Sequence, residues 1–303
     1  MSGRVVVIGS LNYDIILKQK ALPKKGETLT VDSARFCGGG KGANQAVQCS
    51  KLGMETYMVG CVGQDEMGEF LRKSLKSYGV NTDYIRTCDG SSGMGIVNAL
   101  EDGSVYASIS RGANYCVTKA DIDGIVPLLK DTDWMILQLE IPVELVEYAI
   151  TTAKENNCKV LFNAAPAVEI SRKSLEDSDV FIVNEVEAGF YTGKEISSME
   201  KAEEEIQSLT KSVGGQCIFT LGKDGAVVCD GNRVERVPSL KVDAVETTGA
   251  GDSFVGGLAY AMTNGDNIFD AAKFATRCSA ATVCSIGAQP AMPDLAVVDK
   301  IQG

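Results

Sequence analysis

The sequence Thr247-Thr-Gly-Ala-Gly-Asp-Ser-Phe254 joins a strand-like run, Val237–Val245, to an apolar helix pattern over Phe254–Met262. Small residues at the start of a helix allow backbone N–H groups to converge on an anion, and the helix dipole adds about half a positive charge there. A carboxylate in that first turn, Asp252, would repel the anion unless it faces a hydroxyl group that is to lose its proton. The alternative is that Asp252 only caps the helix.

Strand and helix patterns alternate along most of the chain, as they do around this stretch. Apolar β-branched runs predict strands at Val5–Ile8, Tyr57–Val62, Trp134–Leu139, Val160–Asn163, Val180–Val183 and Cys217–Leu221. Amphipathic runs predict helices over 42–52, 66–77, 142–156, 198–211 and 250–264. Ser197 and Glu200 match a capping box at the start of the fourth of these helices. The alternation predicts an α/β fold, in which a mainly parallel sheet carries helices on both faces.

Two segments, 14–37 and 93–109, interrupt this alternation because they contain short strand patterns and no helix pattern. Glu101-Asp102-Gly103 in the second segment is a hairpin turn signal. Strands without crossover helices do not easily extend a parallel sheet, so the two segments are expected to form a small sheet of their own. Ligands of α/β proteins bind at the carboxyl ends of the strands, where such a sheet would act as a lid. The whole chain, 1–303, is expected to be one domain with this lid.

Composition excludes several classes of function. The 303 residues include 29 basic and 40 acidic side chains, a net charge of −11, which disfavours nucleic acid as a partner. No apolar run approaches the roughly 18–20 residues of a membrane span, and the start of the chain lacks a signal-peptide layout. The ten cysteines are scattered without a C-x-x-C motif, so reduced thiols in a cytoplasmic protein are expected. Histidine is absent, so a general base is expected to be Asp or Glu.

A second glycine-rich stretch, Cys37-Gly-Gly-Gly-Lys-Gly-Ala-Asn-Gln45, allows close approach of the main chain to a small ligand. Lys41 and Asn44 offer hydrogen-bond donors within it. Gly38, Gly40 and Ala43 also match G-x-G-x-x-A, a form of the dinucleotide fingerprint. The match follows the irregular 14–37 segment rather than the first strand, which argues against a dinucleotide site.

Three further groups of polar residues follow predicted strands at the same edge of the sheet. Asn12 and Asp14 alternate after the first strand, an arrangement suited to sugar hydroxyls or to an Asx-turn. Asn184 and Glu187 lie one helical turn apart and would either hold hydrated Mg²⁺ or cap a helix. The third group combines the turn Thr220-Leu-Gly-Lys-Asp-Gly225 with Glu140, which ends another predicted strand.

Together these motifs resemble the ribokinase family of carbohydrate kinases. The resemblance rests on GGKGANQA at Gly39–Ala46, NxD at Asn12–Asp14, NxxE at Asn184–Glu187, TLG at Thr220–Gly222, TGAGD at Thr248–Asp252 and GAQP at Gly287–Pro290, and runs nearly end to end. It implies a three-layer α/β/α sandwich with a small β-sheet lid. It also implies ATP-dependent phosphorylation of the 5-hydroxyl of D-ribose.

The resemblance also implies a role for each matching residue. Asp252 would be the general base, and the amides of Gly249, Ala250, Gly251 and Asp252 would form the anion hole. The sugar would be bound by Asn12, Asp14, Gly39, Gly40, Lys41, Asn44, Glu140 and Asp252. ATP would be bound by Asn184, Thr220, Gly222, Gly225 and Gly251, and Mg²⁺ would be served by Asn184 and Glu187.

Members of this family also bind a monovalent cation and often dimerise through the lid. The resemblance implies K⁺ near Glu246, Thr248, Thr282, Ser285, Gly287 and Ala291. The family pattern has Asp where this chain has Glu246 and serine where it has Ala291, so potassium activation is an open question. A homodimer that contacts through the lid is the implied assembly.

Two alternatives stay beside ribose phosphorylation. One keeps the chemistry and changes the acceptor to deoxyribose, another pentose or a nucleoside. Asn12, Asp14 and Glu140 favour a small polyhydroxylated sugar over a nucleoside, whose base would require an apolar or aromatic slot. The other alternative is a non-catalytic dinucleotide-binding protein, which rests on Gly38, Gly40 and Ala43 alone.

Overall fold

The computed structural model of the protein describes residues 3–101 and 104–301. Within them, nine strands form the central sheet: β1 (Arg4–Ile8), β4 (Glu55–Gly63), β5 (Ile85–Cys88), β8 (Trp134–Leu137), β9 (Lys159–Asn163), β10 (Val180–Asn184), β11 (Gln216–Thr220), β12 (Ala226–Cys229) and β13 (Val234–Val237). Their spatial order is β13-β12-β11-β10-β9-β8-β1-β4-β5. Neighbours from β11 to β5 are parallel, whereas β12 is antiparallel to both of its neighbours. The prediction of a mainly parallel sheet is confirmed.

Side chains of the sheet alternate between two apolar cores, which is why both faces carry helices. In β1, Val6 and Ile8 join one core, and Val5 and Val7 join the other. The first core is covered by α3 (Lys119–Asp123), α4 (Val126–Leu129), α5 (Val143–Glu155), α6 (Arg172–Glu176), α7 (Glu185–Thr192) and α8 (Met199–Thr210). The second is covered by α1 (Lys41–Lys51), α2 (Glu66–Ser77), α9 (Ala250–Thr263) and α10 (Ile268–Val283), and α11 (Leu295–Val298) follows. The result is a three-layer α/β/α sandwich.

A separate sheet of four strands stands beside this sandwich. It contains β2 (Asn12–Gln19), β3 (Ser33–Gly39), β6 (Gly93–Leu100) and β7 (Val105–Ser110) in the order β3-β2-β6-β7. β2 pairs antiparallel with β3 and parallel with β6. The expected small sheet from 14–37 and 93–109 is therefore confirmed, although its strands begin at Asn12 and end at Ser110. Its role as a lid stays a prediction.

Local details differ from the sequence-based expectations at three places. The run Val237–Val245 is not a strand, because β13 ends at Val237 and an irregular loop leads to α9. The cap of α8 is Ser198, whose hydroxyl accepts from the N–H of Lys201, rather than Ser197. Asn12 and Asp14 belong to β2 of the small sheet and not to the end of β1.

The turn predicted at Glu101-Asp102-Gly103 falls partly outside the described residues. In the part of the chain that is described, no helix combines the length and the apolar character that a membrane crossing requires.

Candidate active site

Asp252 lies in the first turn of α9 and is almost fully buried. Its two carboxylate oxygens are bound separately: Oδ2 accepts from Asn44 Nδ2 at 2.9 Å, and Oδ1 accepts from Gln45 Nε2 at 2.9 Å. Burial raises the pKa of Asp252 above its usual range, while the Lys41 ammonium and the two amides act in the opposite direction. The side chain is therefore a fixed, partly desolvated carboxyl group beside a cation, which is suited to accept a proton.

Behind Asp252 lies a network of buried amides. Gln138 Nε2 donates to Gln45 Oε1 at 2.6 Å, so the Gln45 amide is oriented with its nitrogen toward Asp252. Gln45 Nε2 also lies 3.0 Å from Asn163 Oδ1, and Gln289 Nε2 donates to Asn44 Oδ1 at 3.2 Å. These amides lie on four separate segments, so the orientation of Asp252 depends on the packing of the whole sandwich.

Asp14 points from the small sheet toward the same site. Glycines at Gly39 and Gly95 leave room for it, because a Cβ at either position would lie within 2.4 Å of its carboxylate oxygens. Burial raises the pKa of Asp14 to about 7, and the carboxylates of Glu140 and Asp252 add to the effect. Neighbouring Asn12 is oriented through its Oδ1, which accepts from Asn114 Nδ2 at 2.7 Å.

Lys41 and Glu140 complete the polar cluster. Glu140 Oε2 accepts from the Ser10 hydroxyl at 2.5 Å and from the Lys41 N–H at 3.2 Å, and Lys41 Nζ lies 3.9 Å from Glu140 Oε1. Burial alone would lower the pKa of Lys41, but the carboxylates of Asp252, Glu140 and Glu187 raise it above its ordinary value. One cation thus faces several acids, whose oxygen atoms are acceptors suited to hydroxyl groups.

Next to this cluster lies the start of α9, where the anion hole is predicted. Gly249 precedes the helix with φ +80°, a conformation that favours glycine, and packs against Ala288. The N–H groups of Gly251 and Asp252 have no acceptor within the helix because they belong to its first turn. A Cβ at Gly251 would meet no atom within 4 Å, so the backbone here is open to a ligand.

A cavity of about 750 Å³ opens on this turn. Its walls include all five residues predicted to bind ATP, namely Asn184, Thr220, Gly222, Gly225 and Gly251, together with Ala250 of the predicted anion hole. The loop after β13 supplies another wall through residues 239–242, which the sequence had assigned to a strand. The volume is in the range of small-molecule and cofactor sites. The cavity and the polar cluster meet at Gly251 and Asp252.

Asn184 and Glu187 form a reciprocal capping box at the start of α7. Asn184 Oδ1 accepts from the N–H groups of Val186 and Glu187 at 2.9 Å, and Glu187 Oε2 accepts from the Asn184 N–H at 2.9 Å. Burial raises the pKa of Glu187, whereas the hydrogen bond from the Asn184 N–H and the positive charge of Lys41 act to lower it. Asn184 and Glu187 therefore cap the helix, which was the alternative role for this pair. Glu187 also remains close enough to Lys41 to feel its positive charge.

Glu246, the residue expected at a cation site, is bound by an arginine of the small sheet. Arg35 Nη2 lies 3.0 Å from Oε2 and 3.3 Å from Oε1, and the N–H of Gly287 donates to Oε2 at 3.0 Å. Of the other predicted K⁺ residues, the Thr248 side chain and the Gly287 N–H act as hydrogen-bond donors to that carboxylate rather than as ligands for a cation. Thr282 is fully buried and donates to Ser253 Oγ at 2.8 Å, and Ala291 has no polar side-chain atom.

The dinucleotide alternative fits the structure poorly. Gly38 and Gly39 belong to β3, and Gly40 caps α1 with φ +88° close to the backbone of Ser10 and Asn12. The space beside Gly39 holds the Asp14 carboxylate. A pyrophosphate there would meet a negative charge at short distance, so these glycines serve a hydroxyl-binding site better than a phosphate-binding one.

Several residues of the site escaped the sequence analysis. Gln45 lies inside the quoted glycine-rich motif next to Asn44, and a buried amide on a helix facing the site is a signal that could have identified it. Ser10, Asn114 and Arg35 carried no such signal, because their partners Glu140, Asn12 and Glu246 lie more than 100 residues away in the sequence.

Comparison with known proteins gives consistent results. Residues 2–295 match the model of the pfkB family of carbohydrate kinases. The chain is 34% identical to a ribokinase of Schizosaccharomyces pombe, with 97% of this chain and 96% of the relative aligned. It is also 34% identical to a deoxyribokinase of Salmonella typhi, with 96% of each aligned. Among solved structures, Arabidopsis thaliana ribokinase complexed with ribose and ATP superposes with a TM-score of 0.91 at 29% identity, covering 99% of both chains.

Proposed function

The protein belongs to the pfkB family of carbohydrate kinases, and from that premise we propose that it transfers the γ-phosphoryl group of ATP to the 5-hydroxyl of D-ribose. One observation carries the proposal: the buried carboxylate of Asp252 lies where a polar side-chain cluster meets the first turn of a helix that opens on a cavity of about 750 Å³. The similar Arabidopsis ribokinase was solved with both ribose and ATP, which supports the same pair of substrates here.

The mechanism follows from this arrangement. Asn12, Asp14, Lys41, Asn44 and Glu140 would hold the sugar with its 5-hydroxyl against Asp252. The hydroxyl oxygen forms a bond to the γ-phosphorus, its proton passes to the Asp252 carboxylate, and the bond from the γ-phosphorus to the β,γ-bridging oxygen breaks to release ADP. Backbone N–H groups of the first turn of α9 and the Lys41 ammonium would stabilise the charge on the transferred group.

Mg²⁺ would neutralise the phosphate charge, and Glu187 fits a supporting role. Its Oε2 caps α7, so Oε1 is the atom that would meet a water of the hydrated ion. The described residues contain no group of three acidic or cysteine side chains that could enclose a metal. This fits Mg²⁺, which keeps several waters and is bound mainly by substrate phosphates.

The residues expected to bind K⁺ do not fit that ion. The single carboxylate among them, Glu246, already accepts hydrogen bonds from Arg35 and from Gly287. A potassium ion at this carboxylate would have to displace a guanidinium group. We therefore propose no role for K⁺ in the reaction.

We also propose a homodimer that forms through the small sheet. Phe36, Ile96 and Tyr106 are exposed apolar side chains on that sheet. The strand register places Phe36 and Ile96 opposite Ile15, and Tyr106 opposite Asn98, so the three share one face.

A cytoplasmic setting is supported by the free state of all ten cysteines.

The proposal is tested by measuring ADP release from ATP and Mg²⁺ over a panel of D-ribose, 2-deoxyribose, other pentoses and nucleosides. We expect the highest kcat/KM with D-ribose, and phosphate on its 5-oxygen by ³¹P NMR. The similarity to a deoxyribokinase makes 2-deoxyribose the informative competitor, and a preference for it or for a nucleoside would change the assigned substrate.

The role of Asp252 is tested by Asp252→Asn, which keeps the shape of the side chain. We expect an unchanged fold and a kcat about 10²–10⁴-fold lower, the range that a general base contributes. A variant with near wild-type kcat would show that the proton leaves by another route.

A further inference from the structure

Arg35 and Glu246 join three separate segments at the edge of the anion site. Arg35 lies on β3, Glu246 lies in the loop before α9, and Gly287 lies in the segment between α10 and α11. The carboxylate of Glu246 accepts from Arg35 Nη2 and from the N–H of Gly287, each at 3.0 Å. The Glu246 side chain therefore links the small sheet, the loop and the following segment.

This junction lies directly beside the backbone that would bind phosphate. Glu246 is three residues before Gly249, which begins the turn of the anion hole. Gly287 is next to Ala288, against which Gly249 packs closely. Any displacement of Glu246 or of Gly287 would thus move the N–H groups of the first turn of α9.

The charge at the junction is already balanced. Burial acts to raise the pKa of Glu246, but Arg35 and the Gly287 and Thr248 donors outweigh it and hold that pKa below the usual range. The guanidinium is a permanent cation that binds both carboxylate oxygens. A monovalent cation would find no free negative charge at this carboxylate.

We propose that Arg35 is a positioning residue that takes the place of a monovalent cation: its guanidinium holds Glu246, and through it the anion-hole turn, so that phosphoryl transfer proceeds without added K⁺. The inference rests on the proposed kinase activity. It also ties the anion hole to β3, the strand that pairs with Asn12 and Asp14 of the sugar site.

The first test compares kcat in potassium chloride and in tetramethylammonium chloride at equal ionic strength, with Mg²⁺, ATP and ribose saturating. We expect the wild-type rate to be the same in the two salts within about twofold. For Arg35→Gln we expect about a tenfold lower kcat in tetramethylammonium chloride, the equivalent of roughly 1.4 kcal/mol, and recovery in potassium chloride. Recovery is expected because the released carboxylate becomes free to bind K⁺.

A matched control is Lys18→Gln, which removes a positive charge from β2 of the same sheet at an exposed position. It should keep the wild-type kcat and gain no response to K⁺. The double variant Arg35→Gln/Glu246→Asp, which shortens the acid, should respond to K⁺ at least as strongly as Arg35→Gln. Wild-type activation by K⁺ of about tenfold would overturn the proposal, as would an Arg35→Gln variant with unchanged kcat and no K⁺ response.

A second readout does not depend on catalysis. The thermal midpoint of Arg35→Gln should rise when potassium chloride replaces tetramethylammonium chloride, whereas that of the wild type should not, because ligand binding stabilises the native state. A potassium-dependent rise in the wild type would contradict the inference. Absence of kinase activity in both salts would instead reject the proposed function, while the midpoints would still report on Arg35.

Discussion

At the scale of single residues, the chemistry of the site depends on how carboxylates are held rather than on which residue types are present. The chain has no histidine, so proton transfer falls to a carboxylate. Asp252, Asp14 and Glu140 share the site, but only Asp252 has each oxygen bound by a side-chain amide. That difference fixes the direction of its lone pairs and is why we assign the base to Asp252 rather than to Asp14 or Glu140.

Gln45 is expected to act through Asp252 as a positioning residue. Gln45→Met keeps the approximate volume but removes the hydrogen bond to Oδ1, so the carboxylate can rotate. Hydrogen bonds to charged groups contribute about 1.5–3 kcal/mol, and we expect a comparable loss in kcat, about 10–100-fold, with little change in the KM for ATP. Steady-state kinetics measure both parameters.

Gln48→Met is the matched control for that variant, because Gln48 is also a buried amide on α1 but binds Ser253 and Pro293 instead of Asp252. We expect it to lose stability to a similar degree while kcat changes by only a few-fold. Equal effects of the two variants on kcat would show that Gln45 supports the fold and not the base.

Asp14 is expected to make sugar recognition depend on pH. Its pKa is about 7, raised by burial and by Glu140 and Asp252, and only the ionised form accepts two sugar hydroxyl bonds. The kcat/KM for ribose should therefore rise as pH increases through about 7. Asp14→Asn should lower kcat/KM and remove this step from the pH profile, whereas a profile that kept the step would assign it to another group.

The same group has the opposite effect on stability. Because the pKa of Asp14 is higher in the folded state than in the unfolded chain, the folded form binds an extra proton between about pH 4 and 7. Its contribution to stability falls as pH rises through that window. Asp14→Asn should thus unfold at a higher temperature than the wild type at pH 8, and the difference should shrink toward pH 5.

At the scale of elements, the sequence predicted the strands and helices whose pattern is set by burial on a regular face. Val5–Ile8 and Val180–Val183 lie between two apolar cores, and their continuous apolar runs are what a doubly covered parallel strand requires. The strand predicted over Val237–Val245 is wrong for the opposite reason. Beyond Val237 the run pairs with no described strand, and its residues 239–242 and 244 line the cavity, so burial on a sheet face does not set its pattern.

The site residues divide in the same way, into those marked by their neighbours in the sequence and those defined by contacts between distant segments. Motif residues such as Asp252 and Lys41 were identified because neighbouring glycines mark a special backbone. Asn114 and Arg35 were not, because their roles arise only when the small sheet docks on the sandwich. Contacts across more than 100 residues leave no pattern in a single sequence.

The small sheet is expected to close on the sugar. Its Arg35 contacts Glu246 of the sandwich, and its Asp14 lies in the electrostatic field of Glu140 and Asp252. Its other face is partly exposed. Binding of ribose adds hydrogen bonds between the two parts, so we expect slower amide hydrogen exchange in β2, β3, β6 and β7 when ribose and a non-hydrolysable ATP analogue are added.

A useful internal comparison is α6, which leads into the amino end of β10, away from the carboxyl edge that carries the site, and where exchange should be unaffected. Unchanged exchange throughout the small sheet under saturating ligand would show that it is a fixed wall and not a lid.

At the scale of the whole molecule, the sandwich buries its apolar side chains in two cores, but the small sheet cannot do so alone. A four-stranded sheet has two faces, and the face with Asp14 and Arg35 turns toward the active site. The other face packs in part on α2, where Tyr13 contacts Phe70 edge-on at 5.2 Å between ring centroids. Phe36 and Tyr106 on this face are more than half exposed, at 56% and 51%. Exposed aromatic side chains that share one face of a sheet are typical of a protein interface.

We therefore expect the wild type to be a dimer in solution and the double variant Phe36→Asp/Tyr106→Asp to be a monomer, as measured by sedimentation or light scattering across a range of concentrations. Two carboxylates placed on each copy would face two on the other, so desolvation and repulsion act together against association. Val186→Asp, an equally apolar and exposed position on α7, provides the control and should stay dimeric. A monomeric wild type, or dissociation by Val186→Asp instead, would assign the contact to a different surface. Since β3 carries both Phe36 and Arg35 on opposite faces, the monomeric variant should also show a weaker hold on Glu246, seen as a gain in potassium response.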